Sequence, residues 1–157
     1  SVDMSGVHGD YNDYRTRAMG GTGDRAISIL TSDVMGALRA KGQYEMIRDG
    51  DLGENICVDD VSFDFFEVGK RYRFCRQRKD EKNGGVIVEI TEPAVPCANL
   101  CKLPFINDDN LDPAQRIERC QEFVGRLGSV PGLRGWYAKV IEGGIIRLDD
   151  SVFLVDE

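Results

Sequence analysis

The sequence has little of what zinc centres and membrane spans are made of. Its 157 residues include a single histidine, His8, and no Cys-x-x-Cys motif, so a structural zinc site built from paired ligands is not expected. No stretch approaches the roughly 20 apolar residues that a membrane-spanning helix needs, which excludes a helical transmembrane protein. A basic start followed by an apolar run, the mark of a signal peptide, is also missing.

The five cysteines are odd in number and sit in a chain long enough to build a real core, which does not indicate a disulfide framework. We therefore expect a reducing, intracellular compartment, either cytoplasmic or organellar. Cys57 falls in an apolar strand and Cys120 on an apolar helix face, so core packing is predicted for both. Cys101 is ambiguous on pattern alone.

The charge is acidic, with 20 basic against 27 acidic residues and a net charge of −7. General electrostatic binding to nucleic acid or to an anionic membrane is therefore not expected. The segment 70–79 is an exception, because it carries six basic residues and no acid. Its alternation with Tyr72 and Phe74 favours a solvated strand, protected by charge from edge pairing, over an oligonucleotide site.

The length suggests one domain, and no repeat, low-complexity segment or linker divides it. Residues 1–24 are polar and glycine-rich and are predicted to form a loop. Hydrophobic periodicity and turn residues then predict a series of short elements. The predicted strands cover 26–30, 56–58, 61–66, 136–141, 145–148 and 152–155, with a long hairpin over 71–91 that turns at Asn83-Gly84.

Two helices are predicted among these strands. Thr31 or Ser32 can cap the first, whose apolar face is Val34, Met35 and Leu38 and whose end is placed at Gly42. The second has Asp112 as N-cap, Pro113 at its first position and Gln115 completing a capping box, and Gly128 can end it. Its apolar face is predicted to hold Ile117, Cys120, Val124 and Leu127, with Phe123 beside them. The predicted fold class is mainly β (α+β), a closed or nearly closed β-barrel with peripheral helices.

Two loops carry residues suited to chemistry. The segment 20–25, Gly-Gly-Thr-Gly-Asp-Arg, can present backbone N–H groups and an arginine to an anion. Taken alone, however, the segment favours a flexible loop over an anion site. The segment 93–97, Pro-Ala-Val-Pro-Cys, is stiffened by two prolines. Its cysteine is either a nucleophile or soft-metal ligand, or a small buried hydrophobe.

Four segments in this order resemble the MOSC family, named for the C-terminal domain of molybdenum cofactor sulfurase. They are Gly-Gly-Thr-Gly-Asp-Arg-Ala at 20–26, Gly-Glu-Asn-Ile at 53–56, Pro-Cys at 96–97 and Gly-Trp-Tyr-Ala-Lys-Val-Ile-Glu-Gly-Gly at 135–144. The resemblance implies a MOSC-type β-barrel over residues 1–157, a single domain lacking its N-terminal strand. It also implies binding of the molybdenum cofactor, with Cys97 as the thiolate ligand of molybdenum and the catalytic residue. The cofactor-binding residues carried over are Gly21, Asp24, Arg25, Asn55 and Cys97.

Standalone members resemble reductases of N-hydroxylated bases and amidoximes, and others have been proposed as sulfur carriers. A reductase would act on a small-molecule substrate and, lacking a flavin, haem or iron–sulfur signature, would need an external electron donor protein. A sulfur carrier would hold a persulfide on Cys97, receive it from a sulfur donor and use Cys101 as a resolving thiol. A barrel that binds without chemistry is the third hypothesis.

Three positions depart from the family pattern: Met19 stands where a histidine is common, Thr22-Gly23 lengthens the glycine loop, and Ala94 or Val95 replaces a frequent arginine. We expect the loops that carry Arg25 and Cys97 to face one electropositive cleft, within about 15 Å of each other, a span that one cofactor can bridge.

Overall fold

The computed structural model describes residues 1–10, 22–76 and 84–155. The chain forms two compact units, which are described separately below. The first unit comprises Ser1–Ile29, Phe66–Glu92 and Trp136–Glu157, and the second comprises Leu30–Phe65 and Pro93–Gly135. Within the described ranges, no helix has the length and apolar character to cross a membrane.

The described residues form eight strands and two α-helices. The strands are β1 (Val2–Asp3), β2 (Gly6–Val7), β3 (Ile27–Thr31), β4 (Ile56–Val58), β5 (Arg71–Cys75), β6 (Val86–Pro93), β7 (Trp136–Glu142) and β8 (Ser151–Leu154); the helices are α1 (Ser32–Arg39) and α2 (Pro113–Leu127). β1 and β2 pair with each other, and the other six form a sheet of order β4-β3-β7-β6-β5-β8. A mainly β fold with two helices was predicted, and the elements agree.

The predicted hairpin over 71–91 is confirmed as β5 and β6, which pair antiparallel with Tyr72 opposite Val88 and Phe74 opposite Val86. Tyr72 and Phe74 are both buried, as their alternation with arginines predicts. The turn residue Asn83 lies outside the described residues. β5 also pairs with β8, so the interpretation of its charges as edge protection is wrong: the ladder groups on both sides of β5 are already used.

Two predicted strands are absent from the described structure, and one predicted loop contains strands. Residues 61–66 form turns instead of a strand, closed by a hydrogen bond from Phe65 N–H to the Ser62 carbonyl. Residues 145–148 do not pair either, because the chain turns where Asp150 N–H donates to the Arg147 carbonyl. The predicted loop 1–24 contains the β1–β2 pair.

Close packing next to the paired strands β5 and β6 leaves no room for a side chain at Gly85. Gly85 has φ +120°, and a Cβ built there would lie 2.7 Å from the Phe74 carbonyl oxygen. Its neighbour Gly84 also has a positive φ, +153°, but a Cβ there would meet nothing within 4 Å. The backbone conformation therefore disfavours a side chain at both positions, and a steric clash is added only at Gly85.

We expect Gly85→Ala to lower the free energy of unfolding by about 1–3 kcal/mol, since a clash with backbone oxygen cannot be relieved by a rotamer change. Gly84→Ala should cost clearly less, because it adds only the conformational term. Urea denaturation of the two variants beside the wild type measures the difference. Equal losses for the two would show that the Phe74 carbonyl does not restrict this position.

The second unit contains both helices and a core of eleven buried side chains. They are Leu30, Val34, Met35, Leu38, Tyr44, Ile47, Leu52, Leu100, Ile106, Phe123 and Leu127. The predicted apolar face of α1 is confirmed, but the helix ends at Arg39. Gly42 instead begins a short 3₁₀ helix, Gly42–Tyr44.

The predicted N-terminus of α2 is confirmed in detail. The Asp112 carboxylate accepts from Gln115 N–H at 2.9 Å, and the Gln115 side chain accepts from Asp112 N–H at 3.1 Å. Phe123 is fully buried, and its ring lies 4.9 Å from that of Tyr44 and 5.7 Å from that of Phe105, measured between centroids. The prediction for Ile117 is wrong, since it is 60% exposed. Ile117 lies six positions before Phe123, and at about 100° per residue this places the two side chains about 120° apart around the helix axis.

Candidate functional site

The loop that carries Cys97 is held on both sides. Before it, the buried Ala94 donates its N–H to the Gly135 carbonyl at 2.8 Å. The Pro96 ring lies against Gly128, 3.7 Å from where a Cβ would stand. Cys97 itself is the N-cap of a 3₁₀ helix, Ala98–Lys102, and its carbonyl accepts from Leu100 N–H at 3.1 Å. The backbone is therefore fixed, while the Cys97 thiol is unpaired and exposed.

The remaining cysteines differ from Cys97 in accessibility or bonding. Cys75 is buried, and Cys57 is exposed, which corrects the prediction that Cys57 packs in the core: it faces outward from β4 between two half-buried neighbours. Partial desolvation, reinforced by Glu54 and other acidic neighbours, raises the pKa of Cys57 to about 11. A thiol with that pKa stays protonated near neutral pH and is a poor nucleophile.

Cys101 and Cys120 are joined by a disulfide, with their Cα atoms 5.2 Å apart. The odd number of cysteines and the predicted reducing compartment gave no indication of this bond. The residues are 19 positions apart in sequence and come together because the 3₁₀ helix after Cys97 lies beside α2. Cys120 does face the core of the second unit, where it is partly buried, but as half of a disulfide.

Arg25 ends a 3₁₀ helix, Gly23–Arg25, and is held by an acidic partner on β6. Its Nε and Nη2 atoms donate to the two carboxylate oxygens of Glu92 at 2.5 and 3.1 Å. The guanidinium also lies 5.1 Å from the centre of the Tyr137 ring. The Glu92 hydrogen bond is the main cause that raises the pKa of Arg25. Arg25 is thus oriented, its charge is largely neutralised, and three of its five N–H groups are left for another acceptor.

A threonine holds the residue before Arg25. The Thr91 hydroxyl donates to the Asp24 carbonyl at 2.6 Å and lies 3.1 Å from the Tyr137 carbonyl. The Asp24 side chain is exposed. This short 3₁₀ turn is therefore fixed to both β6 and β7, which presents Asp24 and Arg25 in a defined orientation.

The Gly-Glu-Asn segment at 53–55 precedes β4, and hydrogen bonds to neighbouring residues hold it in place. Gly53 has φ +78°, and Glu54 accepts from Gly50 N–H at 2.6 Å. Arg134, only 8% exposed, donates from Nη2 to the Leu52 carbonyl. Asn55 is half-buried at the start of the strand. Sequence reasoning missed Arg134, because an arginine between two glycine-containing turns carries no signal of burial.

The predicted site residues thus fall into two groups. Asp24 and Arg25 belong to the first unit, and Asn55 and Cys97 belong to the second. Gly21 lies outside the described residues. The shared electropositive cleft stays a prediction, and the Arg25–Glu92 ion pair shows that Arg25 by itself supplies little net positive charge.

No group of three or more His, Cys, Asp or Glu side chains within the described ranges could hold a metal ion. Cys97 offers a thiolate, the ligand type that suits a soft metal.

The sequence pattern of the MOSC domain matches residues 15–153. The chain belongs to the MOSC family. This family is associated with binding of the molybdenum cofactor. The fold class predicted from the sequence, a MOSC-type β-barrel with helices, is confirmed. Comparison with curated proteins gives no match.

Solved structures share the fold of this MOSC protein at low sequence identity. A crystal structure of a hypothetical protein has a TM-score of 0.63 and 20% identity, covering 99% of this chain and 59% of that one. YuaD from Bacillus subtilis has a TM-score of 0.62 and 20% identity, covering 84% and 64%. YiiM from Escherichia coli has a TM-score of 0.55 and 21% identity, covering 85% and 56%. The chain thus corresponds to less than two thirds of each of these proteins.

Proposed function

We propose that this MOSC protein binds the molybdenum cofactor through the Cys97 thiolate and acts as a small reductase of N-hydroxylated substrates. One observation carries the proposal: Cys97 is an unpaired, exposed thiol on a loop whose backbone is fixed on both sides. Of the other four cysteines, one is buried, one has a raised pKa and two are bonded to each other. A metal ligand needs both access and a fixed position, and Cys97 has both.

The chain's residues fit the demands of such a cofactor. When bound, the molybdenum cofactor would supply two pterin sulfurs and a two-electron redox centre. Cys97 would add one thiolate ligand. Arg25, already oriented by Glu92, would donate its remaining N–H groups to the cofactor phosphate. Gly21, Asp24 and Asn55 would supply the polar contacts that the family pattern assigns to them.

The proposed reaction removes oxygen from nitrogen. An N-hydroxylated base takes up two electrons and two protons, its N–O bond breaks, and the unsubstituted base and water are released. The electrons come from an external donor protein. The chain's part is to hold the redox centre at one exposed position where a small molecule can reach it.

The test is to produce the full chain in a host that makes the cofactor, and to measure bound molybdenum and activity. We expect about one molybdenum per chain, as one thiolate ligand implies. Reduction of an aromatic amidoxime, with a reduced viologen dye as electron donor, measures the activity. Bound molybdenum without turnover would reject the reductase role and leave the binding role; absence of molybdenum would reject both.

A sulfur carrier is the second candidate, because the exposed Cys97 thiol is also open to a sulfur donor. The donor's persulfide would pass its outer sulfur to the Cys97 thiolate, and the donor would leave as a thiol. Cys101 cannot serve as the resolving thiol while it is bonded to Cys120. Mass spectrometry after mild alkylation distinguishes the two candidates: a persulfide on Cys97 in metal-free protein supports the carrier.

Charge reversal at Arg25 tests the phosphate contact. A charge-assisted hydrogen bond contributes about 1.5–3 kcal/mol, so Arg25→Glu should raise the dissociation constant of the cofactor at least about tenfold. The melting temperature should change little, since exposed ion pairs contribute only about 0.2–1 kcal/mol. Molybdenum retained after gel filtration measures the effect.

Arg71→Glu is the matched control, because Arg71 also pairs with a β6 glutamate, Glu89, at 3.0 Å. We expect this variant to retain the cofactor like the wild type. Equal retention by both variants at the wild-type level would refute a phosphate role for Arg25. If both variants lose the same amount of bound molybdenum, the cause would instead be a general effect of charge on the first unit.

A further inference from the structure

The disulfide joins the segment behind Cys97 to the middle of α2. Cys101 is the fourth residue of the 3₁₀ helix Ala98–Lys102, whose N-cap is Cys97. Cys120 is the eighth residue of α2. We propose that Cys101–Cys120 is a reversible thiol–disulfide modification site, reduced by dithiols, that governs how firmly the Cys97 segment is held. This goes beyond the proposed function and applies whether Cys97 binds metal or carries sulfur.

The position of the pair suits reversible chemistry. The Cα–Cα distance of 5.2 Å lies within the usual range for a disulfide, so the backbone accommodates the bond. Both cysteines are half-buried, so we expect a small dithiol to reach them in the folded protein. Cys75, by contrast, is only 4% exposed and is closed to such reagents.

Apart from the disulfide, the restraints on the residues that follow Cys97 are non-covalent. Leu100 is buried and donates its N–H to the Cys97 carbonyl. Farther along, Arg119 of α2 donates to the Phe105 carbonyl at 2.9 Å. A 3₁₀ helix of five residues has weak internal hydrogen bonds, so a covalent bond to α2 is its strongest restraint. Breaking that bond should loosen Leu100 and, through it, Cys97.

A dithiol reduces the pair by two successive thiol–disulfide exchanges. One thiolate of the dithiol attacks a sulfur of the pair, which breaks the Cys101–Cys120 bond and forms a mixed disulfide. The second thiol of the reagent then displaces the remaining cysteine. Two electrons and two protons pass to Cys101 and Cys120, and the reagent becomes a cyclic disulfide. A small disulfide such as glutathione disulfide reverses the reaction and leaves as two thiols.

Hydrogen exchange of the full chain tests the proposal without any need for molybdenum. We expect dithiothreitol to convert the pair to two thiols in the folded protein, as shown by alkylation and peptide mapping. In the reduced protein the Leu100 amide should exchange at least about tenfold faster. The Ile90 amide, which donates to the Lys70 carbonyl in the first unit, should not change.

A double variant and a matched single variant complete the test. Cys101→Ser with Cys120→Ser should show the fast exchange in both oxidising and reducing buffer. Cys57→Ser, which changes an exposed thiol outside the pair, should respond to dithiothreitol like the wild type. The proposal is overturned if glutathione disulfide fails to form the bond, if the bond resists dithiothreitol in the folded protein, or if Leu100 exchanges equally in both redox states.

Discussion

Replacing Cys97 with serine should abolish molybdenum binding while leaving the fold intact. A serine hydroxyl is a poorly ionised, harder oxygen ligand that does not replace a thiolate on a soft metal. Because the Cys97 side chain is exposed, the loss of its sulfur removes no core contact, and the free energy of unfolding should change by less than about 0.5 kcal/mol. Metal analysis and thermal unfolding of the same preparation measure both quantities.

Two further cysteine variants act as controls for this result. Cys57→Ser removes the other exposed thiol and should keep full molybdenum. Cys101→Ser should lose about 3 kcal/mol of stability with the disulfide. It should still bind molybdenum, because the Cys97 thiolate is intact, but less firmly than Cys57→Ser, because the Cys97 segment is less firmly held. Full metal in Cys97→Ser together with loss in Cys101→Ser would reverse the assignment. Full metal in all three variants would refute cysteine ligation, and the hypothesis of a barrel that only binds would gain.

Truncating Phe123 to alanine should produce the largest loss of stability in the second unit. Its ring is fully buried and contacts those of Tyr44 and Phe105. Removing a buried phenylalanine costs about 3–5 kcal/mol, through lost transfer free energy and the cavity that remains. Urea denaturation followed by fluorescence or circular dichroism gives the change directly.

Ile117→Ala is the matched control on the same helix. Ile117 is 60% exposed, so its truncation should alter the free energy of unfolding by no more than about 0.5 kcal/mol. Similar losses for the two variants would mean that α2 buries a different face from the one described. A small loss for Phe123→Ala alone would mean that the aromatic cluster does not stabilise this unit.

Elements defined by neighbouring residues were predictable from the sequence. The start of α2 depends on Asp112, Pro113 and Gln115, which lie within one turn. The side chains of Asp112 and Gln115 each accept from the other's backbone N–H, and Pro113 occupies the first helical position. The hairpin of β5 and β6 follows from strict alternation around Tyr72 and Phe74. These signals are local, so the rest of the chain does not alter them. Strands at 61–66 and 145–148 were mispredicted because a strand also needs a partner, and no local pattern supplies one.

The candidate site was predictable only as a set of residues. The family motifs point to Cys97, Arg25 and Asn55 in the sequence, and the stiffness of the Cys97 loop follows from its two prolines. Accessibility does not follow from the motif: that Cys97 is exposed while Cys75 is buried depends on how each segment packs.

Long-range pairing was decided by the tertiary structure alone. Arg25 and Glu92 are 67 positions apart, and nothing in either segment indicates that the arginine's charge is matched. Likewise, the sequence left Cys101 ambiguous and predicted core packing for Cys120. Their disulfide forms because the folded chain places the 3₁₀ helix beside α2. The physical reason is the same in each case. Local backbone preferences and side-chain periodicity are written in adjacent residues, whereas ion pairs, disulfides and burial depend on which distant segments the folded chain brings within a few ångströms.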